Sequence, residues 1–346
     1  MSSNPPTRRI GPFEVSALGL GCMEMSHAYG IPPSPDEGGR LLLAALDRGV
    51  TFFDTAALYG AGRNEELLGA ALRGHRDEFV LASKCGMQIV DGRKSIDGRP
   101  EALVATCDAA LRRLRTDRID LYYLHRWDRA VPVEESVGAL AELEQAGKIR
   151  AIGLSEVSVS TLRRAQRVHA IAAVQNEYSL WTRNPELGML EACRADGVAL
   201  VPFAPLARGF LTSTLRDVSA LATADIRRAM PRFGEQNWPA NVALLDGYQA
   251  LATEAGCTPA QLGLAWLLTR GDHVVPIPGT TNHGHLAENL AALDVVLAPD
   301  ILRRAGALIN QETVHGPRYN PDQSAEVDSE TFPDPCAFSD APAAVA

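Results

Sequence analysis

Eight short apolar runs rich in Val, Ile, Leu and Phe recur along the chain from about residue 14, separated by longer stretches of helical period. They are Ala17–Met23, Thr51–Ala56, Val80–Gly86, Asp120–Arg126, Ile149–Ser155, Ala172–Tyr178, Val198–Pro205 and Val274–Pro278. Strand–helix alternation on this scale implies parallel strands joined by right-handed crossovers. Eight such units close into a (β/α)8 TIM barrel more readily than they form an open doubly wound sheet, and 346 residues suit one barrel domain. The expectation is a single α/β domain whose reactive groups lie at the carboxyl ends of its strands.

Helix ends carry their own signals. Asp36 precedes Leu41-Leu42-x-x-Ala45-Leu46 with Gly49 just past the end, Asn64 heads Glu65-Glu66-Leu67-Leu68, and Asn184-Pro185-Glu186 offers a cap followed by proline. Thr258-Pro259-Ala260-Gln261 reads as a capping box. Two segments break the rhythm. The stretch Ala207–Ala240 leaves a strand end and is placed to cover a substrate mouth, since loops this long are commonly lids or binding loops. The domain expectation is a barrel over residues 8–320 with a long loop at 207–240. A C-terminal tail at 321–346, rich in Ser, Asp, Pro and Ala near its end, is expected to be partly flexible.

Composition narrows the partners. Apolar residues make up 46% and charged residues 22%, so a packed core is expected. The net charge of −9, with 33 basic and 42 acidic residues and no basic run, argues against nucleic acid. The amino-terminal segment lacks the apolar region of a signal peptide, and no run approaches the ~18–20 apolar residues of a membrane span, so the reading is soluble, cytoplasmic and without a membrane partner. The cysteines at 22, 85, 107, 193, 257 and 336 lack C-x-x-C spacing, which points to reduced thiols and no metal site. Cys85, beside Lys84, is a weaker candidate for redox chemistry.

The chemistry converges on three successive strand ends. They carry Asp54, followed five residues later by Tyr59, then Lys84, then His125. Singly, each has a bland reading as a cap, rim aromatic, solvated strand end or core histidine. Jointly they supply what carbonyl reduction needs. A phenol, with an ordinary pKa near 10, can donate a proton once its anion is stabilised; an ammonium stabilises it, and a carboxylate holds the ammonium. His125 can donate to the carbonyl oxygen and share its developing charge.

Over about residues 8 to 320 the chain resembles the aldo-keto reductases. The matching strings are Leu18-Gly-Leu-Gly-Cys-Met23, Gly49-Val-Thr-Phe-Phe-Asp54-Thr-Ala, Tyr59-Gly-Ala-Gly-Arg-Asn64-Glu-Glu-Leu-Leu-Gly69 and Asp120-Leu-Tyr-Tyr-Leu-His125-Arg. Gly153-Leu-Ser155-Glu, Gln175-Asn-Glu-Tyr-Ser-Leu-Trp181, Phe203-Ala-Pro-Leu-Ala-Arg-Gly-Phe-Leu211 and Ile277-Pro-Gly-Thr-Thr281 leading to His285-Leu-Ala-Glu-Asn289 continue the series. The His125-Arg-Trp and Pro231-Arg-Phe stretches look most like the bacterial and plant branch that includes perakine reductase.

This resemblance implies a barrel that binds NADPH without a Rossmann domain, and Gly19-Leu-Gly21-Cys-Met-Glu24 indeed lacks the third glycine of the dinucleotide fingerprint. Nicotinamide contacts map onto Ser155, Gln175 and Phe203, with Gly21, Met23 and Asp54 also on the cofactor side. The cofactor loop maps onto Pro205, Leu206, Arg208, Gly209 and Leu211, and the adenosine end onto Gly279, Thr280, Thr281, His285, Glu288 and Asn289. Where many members carry Arg, this chain has His285, and Thr281-Asn-His-Gly-His285 contains no Lys or Arg. NADPH remains the expected cofactor, with NADH as the second choice. The substrate is expected to be a small-molecule carbonyl held by Tyr59, His125 and Trp127, while Trp181, Phe210, Phe233 and Trp238 are further candidates for pocket or loop packing.

Two other functions compete: a nucleotide-binding regulatory subunit of the same fold with low turnover, and a lyase or aldolase using Lys84 as a Schiff-base nucleophile. The identity of the carbonyl and the oligomeric state are not legible in the sequence.

Overall fold

The chain opens with an antiparallel hairpin of β1 (Thr7–Ile10) and β2 (Phe13–Ser16), then enters a sheet in a computed structural model that describes residues 5–90 and 92–333. The sheet strands are β3 (Leu20–Gly21), β4 (Phe52–Asp54) and β5 (Val80–Cys85). A second hairpin, β6 (Met87–Val90) and β7 (Arg93–Ile96), follows β5. The sheet resumes with β8 (Leu121–Leu124), β9 (Ile152–Ser155), β10 (Ala173–Gln175) and β11 (Ala199–Leu200). Its seven strands pair in parallel in the order β11-β10-β9-β8-β5-β4-β3.

The eighth expected strand, Val274–Pro278, forms no regular ladder, and neither does Gly279 after it. They make single parallel bridges to both edges, Leu200 with Val274 and Gly21 with Gly279. The reason is local: Pro276 and Pro278 have no N–H to donate. Their carbonyls still accept from Gly19 N (3.0 Å) and Gly21 N (3.2 Å), while Val275 N donates to Leu200 O (2.8 Å) and Ile277 N to Pro202 O (3.1 Å).

Side chains alternate along each strand, and the interior face carries two chemistries. Phe52, Ala82, Leu121, Ala151, Ala173, Ala199 and Val275 form an apolar layer, joined by Ile10, Phe13 and Val15 of the first hairpin. Two residues further along the same strands come Asp54, Lys84, Tyr123, Gly153, Gln175, Val201 and Ile277. The hairpin, for which the sequence carried no recognised signal, therefore packs at the amino-terminal end, and polarity rises toward the carboxyl end.

Outside the sheet lie helices including Pro35–Asp47, Arg63–Ala71, Pro100–Leu114, Val133–Gln145, Val159–Gln166, Met189–Asp196 and Pro259–Leu268. Each buries an apolar stripe against the sheet's outer face, as Leu41, Leu42 and Ala45 do in the first. The Thr258–Gln261 capping box forms. Three cap expectations need correction. Ser34, not Asp36, caps the first helix, because Pro35 occupies its first position and Ser34 and Glu37 form a reciprocal box. Asn64 lies inside its helix and ties a loop instead, and Asn184 donates to Glu330 O (2.9 Å).

The long loop folds into short 3-10 turns, Ala207–Thr212, Val218–Ala220, Ile226–Ala229 and Pro231–Phe233, before helix Trp238–Glu254. Trp181, Phe210, Phe233 and Trp238 pack together beneath it, with Phe233 stacked on Trp238 at 5.5 Å. The described part of the C-terminal tail is tied down. Asp328 accepts from Ser158 N (3.1 Å) and Thr161 Oγ1 (2.7 Å), and Glu330 from Val159 N (2.7 Å), so two carboxylates meet the N-terminus of helix Val159–Gln166. Residues 334–346, Cys336 among them, lie outside the described residues. Cys22, Cys85, Cys107 and Cys193 are buried free thiols and Cys257 is half-buried. Among the described residues no helix is long and apolar enough to cross a membrane.

One glycine limits how closely the interior layers approach. A Cβ on Gly153 would sit 2.3 Å from the ring of buried Tyr123 on the paired strand. Gly153→Ala is therefore expected to destabilise the protein by about 1–3 kcal/mol through overpacking. Chemical denaturation against the wild type checks it; an unchanged midpoint would mean the ring moves aside freely.

Candidate active site

The strand register brings the four expected groups together. β4 ends at Asp54, and the paired β5 carries Lys84 two residues beyond Asp54's partner Ala82. After Asp54 the chain leaves the sheet through Thr55 N to Ala82 O (2.9 Å) and Ala57 N to Lys84 O (3.3 Å). It then turns sharply, with Gly60 at φ 58° and Ala61 at φ 54°. Asn64 fastens this turn, linking to Thr55 Oγ1 (2.6 Å), Cys22 O (2.8 Å) and Ser26 Oγ (2.7 Å). The turn delivers Tyr59 back over the strand ends.

Lys84 is fully buried, and its three ammonium donors each find an acceptor. They are Asp54 Oδ1, Thr55 O at 2.9 Å and Tyr59 Oη at 3.1 Å. Gln175 donates to the other Asp54 oxygen at 2.8 Å. Burial alone depresses the Lys84 pKa, but Asp54 and Tyr59 outweigh it and hold the amine above its ordinary range. Burial raises the Tyr59 pKa, with Lys84 opposing, so the phenol keeps its proton. Asp54 is likewise pushed up by burial and held down by Lys84 and Gln175. A protonated amine with every N–H engaged offers no lone pair to a carbonyl carbon, which disfavours the Schiff-base alternative.

His125 lies with its ring 5.9 Å from that of Tyr59, edge to face. Burial, then the nearby Lys84 and Arg126 charges, drive its pKa well below the usual histidine value, so the imidazole is neutral. Its Nδ1 is enclosed without a partner.

Tyr59 and His125 open onto a cavity of about 160 Å³ whose wall also holds Ser155, Gln175, Phe203, Arg208 and Met23. Tyr59 and His125 thus share one cavity with the expected nicotinamide positions Ser155, Gln175 and Phe203 and with Met23 and Arg208, while Asp54 and Lys84 lie behind Tyr59. Burial pushes the Cys85 thiol up, so it is no reactive thiolate. Gly279 adjoins Gly21, Thr280 is buried, and Thr281 and His285 are exposed at the start of helix His283–Ala291, whose cap is Asn282. In that helix Glu288 is half-buried and Asn289 buried. Arg208, Gly209 and Leu211 lie in a turn that starts after Pro205 and Leu206, with Ala207 at φ 52°, Arg208 at 56° and Gly209 at 91°.

Trp127 is not among the cavity-lining residues. Its Nε1 donates to Val131 O (2.9 Å), and the guanidinium groups of Arg164 and Arg129 lie over its ring at 5.2 and 5.8 Å. Sequence reasoning missed several lining residues: His27, Lys94 of β7, Ile226 and Met230 of the long loop, and Tyr319, Gln323 and Glu326 of the C-terminal segment. Only Ile226 and Met230 lay in a stretch marked as a possible lid; no local motif distinguishes the others.

A buried ionic layer holds the rim. Glu177 accepts from Arg208 Nη2 (2.7 Å), Thr182 Oγ1 (3.0 Å) and Tyr319 Oη (3.2 Å). Glu156 accepts from both Arg318 nitrogens (3.0 and 2.5 Å) and from Ser329 Oγ (2.8 Å). Arg208 Nη1 donates to Tyr29 Oη (3.0 Å). Burial works against the Glu177 carboxylate, but Arg208, Arg318 and Arg232 overcome it and pull its pKa down to about 2.

Comparison with known proteins places this geometry in context. The aldo/keto reductase family matches residues 17–309. An aldo-keto reductase of Schizosaccharomyces pombe, named with NADP(+), is 40% identical over 338 residues, covering 95% of this chain and 99% of that protein. The glycerol dehydrogenase of Gluconobacter oxydans superposes with a TM-score of 0.80 at 28% identity, covering 91% of this chain and 98% of its own. An aldo-keto reductase of Klebsiella pneumoniae in complex with NADPH superposes with a TM-score of 0.70 at 29% identity, over 92% and 99% of the two chains.

The rim makes acid stability a readout. Glu177 has a folded pKa of about 2 against an ordinary carboxylate value of 4.5, so its stabilisation is complete above the unfolded value and is lost as pH falls from there toward about 2. The loss is on the order of 3 kcal/mol. Glu177→Gln should be less stable near neutrality yet show a shallower decline across that acid window. Urea midpoints along a pH series check it; parallel declines would assign the acid sensitivity to other groups.

Proposed function

The chain belongs to the aldo/keto reductase family, and from that premise we propose that it reduces aldehydes or ketones to alcohols with NADPH, Tyr59 supplying the proton. The observation that carries this reading is the Lys84 ammonium, which pairs with Asp54 while donating to the Tyr59 oxygen. The protein is an oxidoreductase and NADP(H) is its cofactor, as named for the yeast relative and held by the Klebsiella pneumoniae neighbour.

The cofactor's residues fit. Ser155 and Gln175 bring a hydroxyl and an amide, and Phe203 an aromatic face, to the cavity that Tyr59 and His125 share. The left-handed turn Ala207–Gly209 would meet the diphosphate, and the exposed start of helix His283–Ala291 would take the adenosine end. Bound there, NADPH supplies the hydride for the carbonyl carbon. The seven-stranded sheet, bridged at both edges by residues 274–279, is read as a (β/α)8 barrel in one domain over residues 8–320.

In the reaction, the neutral His125 donates from Nε2 to the carbonyl oxygen, since its other nitrogen is enclosed, and fixes that oxygen beside Tyr59. The Tyr59 hydroxyl gives its proton to the same oxygen as negative charge develops. Lys84 then stabilises the phenolate, and Asp54, steadied by Gln175, keeps the ammonium aimed. The fully assembled tetrad favours turnover over a purely regulatory role.

Tyr59→Phe should lower kcat by about 10²–10⁴-fold while NADPH affinity stays nearly unchanged. Carbonyl-dependent NADPH oxidation and cofactor fluorescence titration check the two halves, and wild-type turnover in the variant would reject Tyr59 as the donor. A second expectation concerns the 2′-phosphate. His285→Arg supplies a fixed cation and should tighten NADPH by about tenfold with little change for NADH. Equal shifts for both cofactors would place the phosphate elsewhere.

A further inference from the structure

The cavity at Tyr59 is small for a binding site. Its 160 Å³ falls below the ~300–1,000 Å³ typical of ligand pockets, and the nicotinamide takes part of it. A second chamber of about 590 Å³ lies next door, between the loop after β3 and the long loop. Met25, Pro32, Pro33, Leu67 and Ala224 give it a mainly apolar wall, to which Ser26 and Arg63 add polar groups.

Two residues, His27 and Ile226, line both spaces and so stand between them. The His27 ring lies 5.6 Å from that of Tyr59, directly beside the reacting position. The two loops that carry the partition are joined by Ile226 N donating to Ala28 O (3.1 Å), and Arg227 lies over the Tyr29 ring at 5.2 Å. The partition therefore has a fixed backbone and adjustable side chains.

The wall of the Tyr59 cavity on the β7 and C-terminal side carries Gln323 and the ion pair of Lys94 with Glu326. An apolar chain would leave those groups poorly solvated there, whereas the second chamber offers proline, methionine and leucine surfaces.

We propose that the apolar tail of an extended aldehyde or ketone substrate passes between His27 and Ile226 and lodges in this second chamber, leaving the carbonyl at Tyr59 and His125. The inference rests on the reductase reading and deepens it by naming the substrate class. The two loops then act as a ruler: small carbonyls are accepted, and longer apolar ones gain binding energy from the chamber.

The test is a series of straight-chain aldehydes, butanal to decanal, reduced with NADPH. Full burial of a methylene is worth about fourfold in affinity, so kcat/KM should rise about two- to fourfold per added carbon. Ala224→Trp adds bulk at an exposed position of the chamber wall. It should abolish the rise while leaving butanal reduction unchanged. Ile226→Phe, which narrows the passage without filling the chamber, should lower the decanal-to-butanal ratio. A rise of the same slope in both variants, or none in the wild type, overturns the proposal. Calorimetric binding of decanol against butanol reads the chamber without turnover. Selective decanol binding that Ala224→Trp removes, with no aldehyde reduced by the wild type, would sink the reductase reading and leave the chamber standing.

Discussion

The Lys84 ammonium is a full charge with no exposed surface, and the site is organised around satisfying it. Moving such a group out of water costs several kcal/mol even after relaxation, and the cost is offset only if its donors are met and a counter-charge is near. Three acceptors from two connected pieces of chain meet that demand: Asp54 at the end of β4, and Thr55 O and Tyr59 Oη in the turn beyond it. Gln175 reaches Asp54 from β10, three places removed from β4's own partner in the sheet order. The ammonium thus ties the turn, two neighbouring strands and a distant one to a single point. Tyr59 is where it is because Lys84 requires it, and that same contact is what a phenol needs to lose a proton.

The two ends of the sheet are stabilised by different physics. At the amino-terminal end Ile10, Phe13 and Val15 extend an apolar layer, where packing quality sets the energy. At the carboxyl end Glu156 and Glu177 are buried against Arg318, Arg208 and Arg232. Ion pairs of this kind often give little net stability over apolar packing, yet removing one partner is costly. They bring directional contacts instead, anchoring Tyr319 and the C-terminal segment beside the cavity. A mouth that must admit polar reactants is better walled by such groups than by an apolar seal.

Seven of the eight expected strands were legible because each apolar run is short, and several end where the interior face turns polar, as in Phe52 followed by Asp54 or Ala82 followed by Lys84. That Asp54, Lys84 and His125 come together was legible for the same reason, since they sit at or just past strand ends that period-two alternation locates, with Tyr59 in the turn beyond β4. Less could be read where function depends on contacts between distant segments. Nothing local in Tyr319 or Glu326 says that the tail returns to Glu177 and Lys94, and the two antiparallel hairpins are too short to announce themselves. Trp127 shows the converse hazard. Proximity in sequence to His125 suggested the pocket, but the chain turns after the strand and the indole packs under two arginines.

These contrasts separate what reaction chemistry needs from what substrate choice needs. Asp54, Lys84 and Tyr59 hang on paired strands and one turn pinned by Asn64, so their spacing is set by the sheet ladder. Ser155 and Gln175 join the cavity wall from the ladder, while the rest of it includes the loop after β3, hairpin β6–β7, the long loop and the C-terminal segment, none of which belongs to that ladder. Altering a wall residue such as Met230 leaves the Lys84 contacts in place, whereas altering Asp54 strands a buried charge. Under the proposed reduction, selectivity can therefore drift without disturbing the Lys84 cluster, whose members cannot change one at a time.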